Sequence, residues 1–101
     1  MLTILDSRYV VVYEGEHPNG IAGARQKIVR CLNGYGASIV GGGFGLYGDG
    51  VNTFELAVLR FSDQTDNFEL CFTTPITDEV LAYQTLAQVS EILKRIDELR
   101  E

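Results

Sequence analysis

Six glycines between Gly41 and Gly50, arginines at positions 25 and 30, and tyrosines at 35 and 47 have the most chemistry to offer. Glycine lets a backbone turn its N–H groups toward one point, which makes a nest for an anion. Arginine grips carboxylates and phosphates through a planar fork of donors. A tyrosine ring stacks on a base. Arg25, Arg30, Tyr35, Gly42, Gly43, Gly45 and Tyr47 therefore form a candidate site for a small anionic, nucleotide-like ligand. The plainer reading makes the glycines a hairpin connection with bulges, lets Arg25 snorkel from an apolar stripe, and packs the tyrosines into the core.

The run Gly43-Phe44-Gly45-Leu46-Tyr47-Gly48 matches G-x-G-x-x-G letter for letter. The dinucleotide-binding form needs a helix next, so that its N-terminus faces the pyrophosphate. A turn and a β-branched, aromatic strand follow here instead. The kinase form lies on a strand–loop–strand, but the chain lacks the His-Arg-Asp and Asp-Phe-Gly elements and is far too short. Ser7, Ser38, Ser62 and Ser90 lack a G-x-S-x-G setting. His17 precedes a proline in a turn and reads as a surface residue; catalysis would need carboxylates brought to it by the fold. Cys31 and Cys71 are far apart and fall in apolar patterns, so they read as buried thiols and not as zinc ligands. No catalytic residue, metal site or cofactor is expected, and the chain reads as a binder.

Eight basic residues against fourteen acidic ones give a net charge of −6. Duplex nucleic acid is thereby an unsuitable partner, because its binding rests on neutralising many phosphates. No apolar run approaches the roughly 20 residues that span a bilayer. The opening residues lack the pattern of a signal peptide, so a cytoplasmic protein is expected.

The elements that must position these residues come from periodicity. With 46% apolar and 22% charged residues, the 101 residues suit one α+β domain. Residues 2–14 read as two short strands about a turn at Asp6-Ser7. Ile21, Ala24, Ile28, Cys31 and Leu32 fall on one helical stripe that Asn33-Gly34 would stop; Arg25 joins the stripe, and Lys27 and Arg30 point away from it. Gly36 to Val40 is a strand. Thr53 to Phe61 is the strongest strand and, apolar on both faces, belongs in the middle of the sheet. Phe68 to Phe72 returns as its hairpin partner. Thr77-Asp78-Glu79 would open a short helix, and Thr85 with Gln88 would cap a second. The expected order is ββαβββαα, an antiparallel sheet with helices packed on it. A short chain with glycine-rich edges gains core by pairing, so a homo-oligomer is expected.

Three stretches, Asn33-Gly34-Tyr35-Gly36-Ala37-Ser38-Ile39-Val40, Phe54-Glu55-Leu56-Ala57-Val58-Leu59 and Thr74-Pro75-Ile76-Thr77-Asp78-Glu79-Val80, resemble short uncharacterised proteins encoded by tailed bacteriophages. The likeness covers the last two thirds of the chain and its motifs are structural. It implies an infected bacterial cytoplasm and a function by binding. The chain is similar in size and sheet-plus-helix design to the Thoeris anti-defence sponges, which trap cyclic ADP-ribose signals. The resemblance implies a counter-defence sponge for a cyclic nucleotide signal, or an inhibitor that blocks a host protein by direct binding.

Overall fold

The computed structural model describes residues 9–17, 23–43, 48–62, 67–72, 74, 76 and 80–99. Among them lie six strands and one helix: β1 (Tyr9–Glu16), β2 (Arg25–Cys31), β3 (Tyr35–Gly41), β4 (Thr53–Phe61), β5 (Phe68–Leu70), β6 (Leu81–Thr85) and α1 (Leu86–Asp97). All pairings are antiparallel, in the order β1-β2-β3-β4-β5. β6 also pairs with β4, taking its Thr53 end while β5 takes its Phe61 end. β4 thus has neighbours on both sides along most of its length, as do β2 and β3, in keeping with its two-sided apolar pattern.

The α+β class holds, but the order ββαβββαα does not. The expected helix over residues 21–32 is strand β2 from Arg25 onward, paired on both sides; Ile21 and Ala22 lie outside the described residues. Asn-Gly signals a tight hairpin turn as well as a helix stop, and here Gly34 takes φ 87° in the β2–β3 connection. Burial follows the strand: Val29 and Cys31 are buried, whereas Leu32 is 79% exposed in the turn. Lys27, expected to point outward, is buried and meets Glu14 at 3.2 Å. The second correction is that Leu81–Thr85 forms β6 where a short helix was expected; its proposed first turn, Thr77 to Glu79, lies outside the described residues, as do residues 2–8 of the first expected strands.

The last helix is capped as its sequence indicates. Thr85 accepts from the Gln88 N–H at 3.2 Å, and the Gln88 side chain accepts from the Thr85 N–H at 2.8 Å. Its other end is held from across the fold: the Asn33 amide donates to the carbonyls of Ile96 and Leu99 at 2.8 and 2.9 Å. Carbonyls left open at a helix end need such donors. Between these ends Val89, Ile92, Leu93 and Ile96 seal one sheet face, over Val29, Ala37, Ile39, Phe54, Leu56 and Val58. No described helix is long and apolar enough to cross a membrane.

Candidate functional site

The glycine run is packed against its own backbone. A Cβ on Gly41 would lie 2.6 Å from the Gly50 Cα, and one on Gly48 would lie 2.5 Å from the Thr53 carbonyl oxygen. Gly42, at φ 92°, donates its N–H to the Gly48 carbonyl at 3.3 Å. Just beyond, the N–H groups of Val51, Asn52 and Thr53 converge within 3.0 Å on one carboxylate oxygen of Asp49. These backbone bonds hold the Asp49 carboxyl below its ordinary pKa. These three amides, which follow the glycine run, are thus taken by the chain's own carboxylate.

The residues of the expected nucleotide site are spread over the molecule. Arg25 is exposed at the start of β2, opposite Glu16 and Gly41, so it stands beside Gly42 and Gly43. Arg30 sits five residues further along, about 16 Å away and on the other face of the strand. There its guanidinium stands 5.9 Å from the Phe61 ring centre. Tyr35 packs toward the α1 side with Arg60 stacked on it at 4.9 Å. Gly45 and Tyr47 lie outside the described residues. Among the described residues of that site, Arg25, Gly42 and Gly43 share one end of the β2–β3 pair, and Arg30 and Tyr35 lie at the other.

The sheet face turned away from α1 offers a larger surface. Register places Val10, Tyr13, Ile28, Arg30, Ser38, Ala57, Leu59, Phe61, Phe68 and Leu70 on it. Its centre, Ile28, Leu59 and Phe61, is buried. The Phe61 ring reaches Gly36, where a Cβ would come within 2.7 Å of it and would clash with the Val29 carbonyl oxygen. Phe68 meets Phe61 with ring centres 5.5 Å apart. At the two margins Val10, Tyr13, Phe68 and Leu70 remain between 40% and 54% exposed. Two residues apart on a strand, Phe68 and Leu70 must share a face; that this face stays open depends on where α1 docks, which strand periodicity does not report.

One end of the same face is polar. The Gln26 amide donates to the Ser38 hydroxyl oxygen at 2.8 Å. Glu55, opposite Val40, is pushed up in pKa by burial, against a lowering influence from His17. His17 is therefore half-buried near a carboxylate and not an isolated surface residue. A lone Glu inside an otherwise apolar strand was the signal for this cluster.

A shallow groove of about 290 Å³ lies between β6 and α1, floored by Ile76, Leu81 and Ile92 and edged by Gln84, Gln88 and Arg95. Beside it Tyr83 takes φ 54°, where β6 carries an extra residue against β4. No family model, curated protein or solved structure matches the chain.

Proposed function

We propose that the chain is a non-enzymatic binding protein whose working surface is the sheet face turned away from α1, and that this face takes an apolar patch of another protein. The observation that carries this reading is the set Val10, Tyr13, Phe68 and Leu70, all partly exposed on one face around a buried centre. Apolar side chains gathered on one face mark interaction sites in a way that scattered ones do not. Arg30 and the Glu55 end add polar groups at the edges, the usual arrangement of a protein interface. In the setting implied by the resemblance to tailed-phage proteins, the partner is a host protein of the bacterial cytoplasm, blocked by occupation.

Capture from a bacterial lysate on immobilised protein tests this. A stoichiometric protein partner, lost when Phe68 and Leu70 are both replaced by serine, is the expected result. Capture that is indifferent to the two changes would reject the face.

A counter-defence sponge for a cyclic nucleotide signal is the second reading, favoured by the exposure of Arg25 beside Gly42 and Gly43. Calorimetry against cyclic nucleotides and ADP-ribose isomers separates the two. Binding heat that disappears in Arg25→Ala supports the sponge, and no heat at protein concentrations well above micromolar leaves the protein-binding reading.

A further inference from the structure

β1 pairs with β2 on one side, and no other described strand lies beyond it. Among the described strands it is therefore the sheet's edge, and its eight residues span about 26 Å. Sheet edges are ordinarily guarded by lysine, proline or covering elements, because an open edge pairs with any strand that fits. Tyr9–Glu16 contains neither lysine nor proline.

Val10 and Val11 point to opposite faces of the sheet, and both are about two-fifths exposed, at 41% and 42%. A partner lying on one face would cover only one of them. A strand continuing the sheet in its own plane covers both.

The pattern of β1 also suits a second copy of itself. The bulge between Val11 and Tyr13 puts Val12 on the open face, with Tyr13. An antiparallel two-fold pair centred between Val12 and Tyr13 then sets Tyr9 opposite Glu16, Val10 opposite Gly15, and Val11 opposite Glu14. Every one of these pairs joins side chains that already share a face, as directly opposed residues must. Neither glutamate meets a glutamate, and Glu14 is held by Lys27 of its own chain at 3.2 Å. A self-complementary contact of this kind is what closed two-fold symmetry requires.

We propose that two copies of this chain join antiparallel through β1 in this register, extending one sheet across the two-fold axis. The contact is small beside a standard interface, so the dimer is weak and grows in with concentration. The paired strand shares Val10 and Tyr13 with the binding surface assigned above, but the test turns on Val11, which lies on the α1 side of the sheet and outside that surface.

Sedimentation equilibrium from about 10 μM to about 500 μM tests it, a range set by the weak contact expected. The wild type should pass from monomer toward dimer. Val11→Glu, which sets like charges opposite each other, should weaken dimerisation at least about tenfold. Val11→Lys, which faces Glu14 of the other copy, should dimerise as well as the wild type or better. Circular dichroism confirms that both variants fold. Should either variant fail to fold, hydrogen exchange on the wild type decides instead, with outward β1 amides slowing as concentration rises. A wild type that stays monomeric, equal loss in both variants, or exchange independent of concentration would overturn the proposal.

Discussion

The two faces of the sheet are built from equally apolar strands and end in different states. Beneath α1, Val29, Ala37, Ile39, Phe54 and Leu56 are shut away by Val89, Ile92, Leu93 and Ile96. On the other side Phe61 closes over Gly36 and only the centre is covered, so Phe68, Leu70, Val10 and Tyr13 keep much of their surface in water. The difference lies in what each face packs against. A capped amphipathic helix supplies a row of four side chains to one face, whereas the other is closed by one aromatic ring and its neighbours. Stability should therefore reside on the α1 side and recognition on the open side.

The largest effect should come from the sealed face. Ile96→Ala removes a side chain that is fully buried and should cost about 3–4 kcal/mol in chemical denaturation. A loss under about 1 kcal/mol would mean that the helix does not close the core. On the open face, Gly36→Ala should cost about 3 kcal/mol, because its methyl would meet the immovable Val29 carbonyl as well as the Phe61 ring. A tolerated alanine would break the claim that Phe61 closes this face across the glycine.

Asn33→Ala sharpens the account of α1. It removes two bonds to the helix end and an acceptor for the Tyr35 N–H, and should cost about 1–2 kcal/mol, with the last turn of α1 exchanging faster. An unchanged exchange pattern would show that the cap is idle. A smaller, pH-dependent effect belongs to Glu55. Burial raises its folded pKa above the ordinary 4.5, so its contribution favours folding most below that value and is lost as pH rises through the raised one. Glu55→Gln should therefore be the more stable protein near neutral pH, with the advantage gone in acid. Asp49 has the opposite sign: its folded pKa is lowered, so Asp49→Asn should lower the Tm at neutral pH and converge on the wild type as pH falls through that lowered value.

What was legible in the chain follows from how local each signal is. β4 and the capped helix α1 were readable because their patterns depend on their own residues: a run apolar on both faces, and a Thr85–Gln88 box before a 3.6-residue stripe. β2 was not, because Ala24, Ile28 and Cys31 fit a helical row as well as a strand, and Asn33-Gly34 ends either one. Lys27 was misplaced for a related reason, since its partner Glu14 comes from the neighbouring strand. β6 was obscured by the helix-like Thr77-Asp78-Glu79 before it. The candidate site was the least legible part. Arg25 and Arg30 look like neighbours in sequence, yet five steps along a strand put them on opposite faces, and the Gly42 N–H, one of the amides expected to hold an anion, bonds the Gly48 carbonyl.

The division between a face that folds the chain and a face that binds is tested most directly by replacing Phe68 and Leu70 together with serine. Both are exposed on β5. The Tm and the partner captured from a bacterial lysate should be measured on the same preparation. The account predicts a stability loss of about 1–2 kcal/mol, from the half-buried side chains and the Phe61–Phe68 contact, well short of that of Ile96→Ala, together with loss of the captured protein. A variant that keeps its partner, or one that unfolds as readily as Ile96→Ala, would contradict it.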